Sequence, residues 1–539
     1  MEEQENAEKE EKKQEIEKFL RGIKPRAYQQ NIFETACKKN TLVVLPTGMG
    51  KTLCVLMLAI ERLQKYPESK VVFLAPTKPL AEQHLNYFKK YLPELFADMV
   101  LFTGKVKAEK RKELWQKANI IFSTPQCLKN DIKNELYNLK DTSLLAEDEC
   151  HRCLKNYDYV YVVREYLKQA ENVRVLGLTA SPGSKPAVIK EICKNLNIEA
   201  VEGRTRYSED VKPYIQKLEQ EIVKVDLPKE FVEIKKLLEE QYKKKVEELK
   251  NRKLLFKPAT KKNLIELQGY IMGAIASGNR HFNLLAGASA CAQTIKLQHA
   301  LELLETQGIF QLHNYMLNLF KQAKEEKSKA VKQLVKNKEF SKAYIKTSEL
   351  NSKNIVHPKL TALQEIVERE MQEKQKKKKI IVFAQYRESV ARICKELNGI
   401  KGVNAKVFIG QARKGDSEAE RGLTQQEQQE IIKNFSVGEV NCLVCTSIGE
   451  EGLDLPEVYA VIFYEPIPSA IRSIQRRGRT ARLKPGKLII LMTKKTRDEA
   501  YYWAAYHKER KMHGVLKWVN EELEKKGEKK KQKKIEEFL

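Results

Sequence analysis

No apolar run in the 539 residues approaches the roughly 18 needed to cross a bilayer. The opening "MEEQENAEKEEKK" is charged throughout, which excludes a secretory signal peptide. Cysteine is sparse and scattered, with 10 in the chain, and most lie in apolar surroundings; this fits a reducing cytosol rather than a disulfide-stapled secreted scaffold. Acidic residues are in deficit. Asp and Glu number 72 against 99 Lys and Arg, a net charge of +27. A Lys- and Glu-rich surface of the thermophilic kind accounts for many charges but not for their imbalance. An excess of cations favours a polyanionic partner, because each phosphate it neutralises releases condensed counterions. Nucleic acid is therefore the expected partner, and a membrane is not.

From residue 41 a βα rhythm sets in, with apolar runs "TLVVL" (41–45), "VVFLA" (71–75), "NIIFS" (119–123), "SLLAE" (143–147) and "VRVLGL" (173–178). It returns with "IIVFA" (380–384), "AKVFI" (405–409), "NCLVC" (441–445), "AVIFY" (460–464) and "KLIILM" (487–492). Such alternation predicts two α/β domains, each a parallel sheet covered by helices on both faces. Between them the strand signals vanish. "EFVEIKKLLEEQYKKKVEEL" sets Phe231, Ile234, Leu238, Tyr242, Val246 and Leu249 at helical spacing, which predicts an inserted all-helical domain. The expected division is a polar lead-in over 1–18, a first sheet domain over 19–226, the helical insertion over 227–352, a second sheet domain over 353–512 and a basic tail over 513–539.

The first run leads into "LPTGMGKT" (45–52), in which Gly48 and Gly50 let the backbone wrap a phosphate. Thr47, Gly48, Met49 and Gly50 form the loop, Lys51 is placed to reach the β- and γ-phosphates of ATP, and Thr52 is a ligand for Mg²⁺. Leu45 stands where the pattern has Gly or Ala, a mild departure at the place where the strand closes. A second acidic strand end is then needed, and "AEDECHRC" (146–153) supplies it. Asp148 would hold Mg²⁺ and Glu149 would polarise the attacking water. Cys150, His151 and Cys153 also suggest zinc, but a tetrahedral site needs a second pair of ligands. The other CxxC, Cys442 and Cys445, falls within a predicted strand, where residues three apart face opposite ways. The segment is built for magnesium, not zinc. Glu147 is unusual before such an Asp, either solvent-facing or tuning the carboxylates beside it. Late in the chain, "QRRGRTAR" (475–482) offers Arg479 and Arg482 as stabilisers of charge on the transferring phosphoryl group, with Gln475 beside it.

In this order, on two α/β units, these motifs resemble superfamily 2 helicases and translocases. The resemblance implies two RecA-like domains. It places Gln29 of "KPRAYQ" on the adenine edge and Gly452 and Asp454 of "TSIGEEGLDLP" in the nucleotide site. It assigns nucleic-acid contact to Pro76, Thr77, Thr103, Gly104, Thr124 and Pro125 in the first domain, and to Gln385, Arg387 and Thr446 in the second. Coupling falls to His151, Thr179 and Ser181, with His151 expected to meet Gln475 across the cleft.

"DECHRCLKNYDY", "LGLTASPGS", "GLTQQEQQEII", "FYEPIPSAIRSIQRRGRTAR" and the insert's "TIKLQHALELLETQG" closely resemble the helicase half of archaeal Hef, relative of the Fanconi anaemia group M translocase. That implies ATP-driven 3′→5′ movement on forked or branched DNA, with the insert gripping phosphates. RNA is the alternative substrate, because RNA-sensing helicases share "DECH" and a helical insert. A clamp-bound scaffold is the non-catalytic alternative. Hef proteins commonly carry an ERKxxxD nuclease; here "ERK" (509–511) is followed by Val515 in place of the Asp, so cutting would fall to a separate polypeptide. The last residues, "QKKIEEFL", resemble a sliding-clamp-binding peptide through Gln532, Ile535, Phe538 and Leu539.

Overall fold

The computed structural model describes residues 14–372, 378–412, 421–450, 453 and 455–536, with 527–536 described by backbone alone. The first sheet contains β1 (Thr41–Val44), β2 (Lys70–Leu74), β3 (Met99–Phe102), β4 (Ile120–Ser123), β5 (Thr142–Glu147), β6 (Val175–Thr179) and β7 (Ala200–Gly203). Their order is β3-β4-β2-β5-β6-β1-β7, all parallel. The second contains β8 (Leu218–Val225), β9 (Ile380–Phe383), β10 (Ala405–Phe408), β11 (Cys442–Cys445), β12 (Ala460–Phe463) and β13 (Gly486–Thr493), ordered β10-β11-β9-β12-β13-β8 and again parallel. Central strands such as β1, β9 and β12 are buried along their whole length. That is why they read as continuous Val, Ile and Leu rather than as alternating patterns. The architecture is two RecA-like domains with a helical bundle inserted between them.

One boundary moves. The first domain was expected to run to residue 226, but Leu218–Val225 pairs along its full length with β13 of the second sheet. The chain therefore enters the second domain before the helical insert begins. β8 is an edge strand with no fully buried residue, and Glu219, Glu221 and Lys224 of its sequence "LEQEIVKV" are all at least partly exposed. The insert begins with helix Lys229–Asn251 and ends with helix Lys338–Ser352. Its apolar stripe serves two cores in turn. Phe231, Ile234 and Leu238 pack with Leu297, Leu301 and Leu304 of helix Phe282–Thr306, whereas Leu249, Tyr242 and Val246 pack with Leu264 and Ile271 of helix Lys261–Ala276.

The C-terminal segment also differs from expectation. Helix Arg497–Glu536 continues through the stretch read as a low-complexity tail. It leaves the second sheet and lies on the first domain, where Met512, Val515, Leu516 and Val519 join the core around Ile189 and Ile192. Full burial of each such side chain contributes about 1.5–3 kcal/mol. Val515 is thus a packing residue, and Glu509 of "ERK" pairs with Arg477.

At the carboxyl ends of β9, β12 and β13 sits a buried charge cluster. Lys359 Nζ donates to Asp498 Oδ2 at 2.8 Å with both side chains fully buried, and Lys359 lies 4.9 Å from the Tyr464 ring centre. Glu465, just after β12, accepts from the Gln385 backbone N–H. Burial pushes its carboxyl up to about 7, against the pull of Lys359 and Arg476.

Two outcomes follow from this cluster. Lys359→Met strands the Asp498 carboxylate and should cost about 3–5 kcal/mol in denaturant unfolding; an unchanged midpoint would show that the pair carries no such weight. A folded-state value near 7 lies above the ordinary 4.5, so the Glu465 contribution is fully present below pH 4.5 and is lost as pH rises through 7. Glu465→Gln should flatten the melting temperature across that window, and a variant whose pH profile still parallels the parent would refute it.

Candidate nucleotide-binding site

The phosphate loop joins β1 to helix Lys51–Lys65, whose first residues are the Lys and Thr singled out in the sequence. Gly48 and Gly50 have φ of 83° and 75°, in the left-handed region that side chains resist. Close approach is a second reason for both glycines. A Cβ on Gly48 would meet Arg482 Cγ at 2.7 Å, and one on Gly50 would meet Gln29 Nε2 at 2.4 Å. Gln29 is buried and holds the loop itself: its Nε2 donates to the carbonyls of Met49 at 3.1 Å and Gly50 at 3.3 Å, while its Oε1 accepts from Arg26 N at 2.8 Å. The Thr47 side chain lies against Gly478, where an added Cβ would approach Thr47 Cβ to 2.5 Å. Lys51 Nζ donates to the Leu45 carbonyl at 3.2 Å.

β5 delivers Asp148 beside that helix. Asp148 Oδ2 lies 3.0 Å from His84 Nε2, and the other nitrogen of the same ring is 3.4 Å from Thr52 Oγ1. One imidazole thus ties together the two expected magnesium ligands. Burial opposes the charge on Asp148, but His84 and Lys51 outweigh it and hold the carboxyl below its ordinary range. A hydroxyl and an ionised carboxylate this close are hard oxygen donors, and the set fits Mg²⁺. His84 had no signal of its own in the sequence; it stands in the second turn of the helix after "APTKPL", stacked on Phe73.

Glu149 takes a left-handed conformation, φ 50° and ψ 41°, which turns the chain sharply after the strand. His151 Nδ1 stands 3.2 Å from Glu149 Oε2 and 3.2 Å from Thr179 Oγ1. Thr179 Oγ1 also accepts from Ser181 N at 3.0 Å, and Ser181 Oγ contacts Met512 Sδ at 3.0 Å on the C-terminal helix. The three residues assigned to coupling therefore form one connected chain. Glu147 is not solvent-facing. It is fully buried beside the Cys153 thiol, and burial raises its pKa well above the ordinary value. Cys150 and Cys153 are buried in the first domain's core, their thiols pushed up by burial. Cys442 and Cys445 enter the cores on opposite faces of the second sheet, as their spacing in a strand requires. Among the described residues no cluster of three or more His, Cys, Asp or Glu is arranged to hold a metal.

The two arginines of the late motif divide. Arg482 crosses to the phosphate loop, packing over Gly48 while its Nε donates to the Gly478 carbonyl at 2.6 Å. Arg479 is turned into its own domain, donating to the carbonyls of Gly449 at 3.0 Å, Glu450 at 2.7 Å and Leu453 at 3.2 Å. Gln475 is buried on helix Ala470–Arg477, which ends just before both arginines. Unforeseen in the sequence, Glu450 gathers Arg472 at 2.7 Å and Arg476 at 2.8 Å, and the Arg476 guanidinium lies over Phe383 and Phe463. Gly452 and Asp454 lie outside the described residues.

The remaining assigned residues stand at strand ends. Pro76 and Thr77 follow β2, Thr103 and Gly104 follow β3, and Thr124 and Pro125 follow β4. Gln385 and Arg387 follow β9, and Thr446 follows β11. These carboxyl ends are where open α/β sheets bind ligands. Arg387 Nη2 donates to the Gly410 carbonyl at 3.0 Å, and Gly104 is exposed with open space around it. Of the clamp-like peptide, Gln532 and Ile535 have helical backbone; Phe538 and Leu539 lie outside the described residues.

The division between the arginines has a measurable consequence. Arg482→Ala should lower ATP turnover about a thousandfold and, with one carbonyl losing its donor rather than three, cost less stability than Arg479→Ala. Arg479→Ala should also cost about 2–3 kcal/mol of stability, because three carbonyls lose their donor. Equal stability losses in the two variants would contradict the division.

Known proteins resemble the chain over most of its length. The DEAD/DEAH box helicase family matches residues 26–189, and the helicase conserved C-terminal domain matches 358–484. The family described as "Putative ATP-dependent RNA helicase, helical bundle" matches 230–356. A "Putative ATP-dependent RNA helicase" of Methanocaldococcus jannaschii is 40% identical over 92% of this chain and 61% of its own. The ATP-dependent DNA helicase fml1 of Schizosaccharomyces pombe is 32% identical over 87% of this chain and 57% of its own. The chain thus spans less than two thirds of the length of these relatives. The crystal structure of the Pyrococcus furiosus Hef helicase domain superposes with a TM-score of 0.68 at 44% identity, covering 89% of this chain and 98% of that one. With one phosphate loop, one acidic strand end and one crossing arginine in a single cleft, the chain belongs to the superfamily 2 DEAD/DEAH-box helicases, within the family of the Hef helicase domain.

Proposed function

We propose that the chain is an ATP-driven motor that moves 3′→5′ on DNA and acts on forked or branched structures. The observation that supports it most directly is the contact of Arg482 with the phosphate loop, because it makes the nucleotide site depend on both sheets at once. Lys51 and Arg482 supply positive charge to the phosphates, and Glu149 accepts the proton of the attacking water. Magnesium held by Thr52 and Asp148 would neutralise phosphate oxygens. Turnover then opens and closes the cleft, and the strand-end loops of both domains carry that motion to the polynucleotide. DNA is favoured by the Schizosaccharomyces pombe relative fml1, which is named a DNA helicase, together with the likeness to the Hef helicase domain. RNA is the second reading, favoured by the name of the Methanocaldococcus relative. Recruitment by a sliding clamp through Gln532, Ile535, Phe538 and Leu539, and cooperation with a separate nuclease, complete the proposal. No helix among the described residues is long and apolar enough to cross a membrane.

Steady-state ATPase without nucleic acid, with single-stranded DNA, with a DNA fork and with a matched RNA fork tests this reading. The DNA fork should stimulate most, and Glu149→Gln should reduce stimulated turnover at least about a hundredfold. Strongest stimulation by the RNA fork would reverse the substrate assignment, and absence of turnover on every substrate would leave a scaffold.

A further inference from the structure

A cavity of about 630 Å³ opens where the helical insert, the second sheet and the first domain meet. It is the right size for one nucleotide unit with room to enter. Part of its rim is formed by Gln385, Arg387 and Thr446, and Arg152 contributes from the first domain. Its insert side carries residues that no strand-end motif assigns. His299 stands edge-on to Tyr315, with ring centres 4.7 Å apart and planes at 85°, and lies 6.2 Å from Tyr386 of the second domain. All three residues are only partly buried and line the cavity, so the ring cluster forms part of its wall.

The polar groups among these rings are fixed rather than floppy. Gln311 lines the cavity, is 5% exposed, and donates through Nε2 to Ser389 Oγ at 3.2 Å. Ser389 in turn donates to Gln307 Oε1 at 2.6 Å, so the Gln311 amide cannot readily turn over. Gln311 Oε1 is buried with no hydrogen-bond partner and no surface open to the cavity, so this network stiffens the cavity wall rather than offering an acceptor. Asn314 and the exposed Asn318 add donors and acceptors on the same helix, Ile309–Lys324.

We infer that this cavity takes one unstacked base of the tracked strand, laid against the cluster of the Tyr315, His299 and Tyr386 rings, with the Asn314 and Asn318 amides beside its edge. The inference rests on the nucleic-acid reading above and deepens it, since that reading needs contact only with phosphates and sugars. Flat aromatic faces tolerate any base, so the pocket would sense that a strand has bases and is unpaired rather than read its sequence. It also gives the helical insert its own hold on the strand beside the second domain's loops.

The test compares fluorescence-anisotropy binding of an oligo-dT strand and an abasic strand of equal length and charge. The protein should bind oligo-dT about tenfold more tightly. Tyr315→Leu, which keeps an apolar side chain at this half-buried position, should bring oligo-dT down to the abasic affinity while changing abasic binding less than about twofold. Equal binding of the two strands by the parent protein, or equal weakening of both by Tyr315→Leu, overturns the pocket and leaves the motor reading intact. Failure to bind either strand removes both. Independently of any variant, a strand carrying a photoreactive halogenated uracil should crosslink to the peptides bearing Tyr315 or Tyr386. Crosslinks confined to the first domain would overturn the assignment.

Discussion

The two sheets meet through glycine. Gly48 of the phosphate loop accepts the Arg482 side chain, and Gly478 of the late arginine motif accepts Thr47, each within a distance that leaves no space for a Cβ. Everything else about the site depends on this mutual fit. It brings a guanidinium from one domain onto the phosphate loop of the other without a linker to set the distance. Because the contact is steric, it is satisfied at one separation of the domains and lost at others. A charge pair alone would fade gradually with distance; packed surfaces do not.

Around that contact the side chains sort by the domain they serve. His84 joins Thr52 to Asp148, so the helix after β2 reports on both ends of the magnesium donor set. Glu450, Arg472, Arg476 and Arg479 form the counterpart in the second domain, tying the loop after β11 to the helix that carries the late motif. The Thr179, Ser181 and Met512 contacts then lead from the acidic strand end to the C-terminal helix. That helix begins in the second domain and packs on the first, which gives the two sheets a connection away from the cleft.

Much of this was legible in the sequence, for a physical reason. Central parallel strands are buried on both faces, so each announces itself as an apolar run, and all ten runs read from the sequence became strands. β7 and β8 escaped because edge strands need not be apolar on both sides: "AVEG" is short, and "LEQEIVKV" keeps its charges in solvent, whereas β3, "MVLF", is apolar throughout and its omission has no such reason. The phosphate loop and the acidic strand end were recognisable because each is local, built from neighbours in sequence. His84 and Glu450 were not, since their roles exist only through contacts with distant elements. Arg479 was identified as a functional group, but no spacing rule reveals that its donors are occupied by carbonyls of its own domain. The C-terminal stretch misled in the opposite sense. Its Lys-rich composition suggested only a basic tail, whereas Met512, Val515, Leu516 and Val519 recur at helical spacing and bury one face.

The early departure of the chain into the second sheet has a mechanical meaning. Because β8 pairs with β13 before the helical bundle starts, both ends of the bundle are rooted in the second domain. Arg497 bonds Glu305 at 3.0 Å and Gln311 bonds Ser389 at 3.2 Å, so the bundle is bolted to that domain along its flank as well. Any swing of the second sheet therefore carries the bundle as a rigid arm. A small angular change at the glycine contact becomes a larger sweep at the arm's far end, near Phe256 and Phe282. The chain would work as a lever whose fulcrum is the nucleotide.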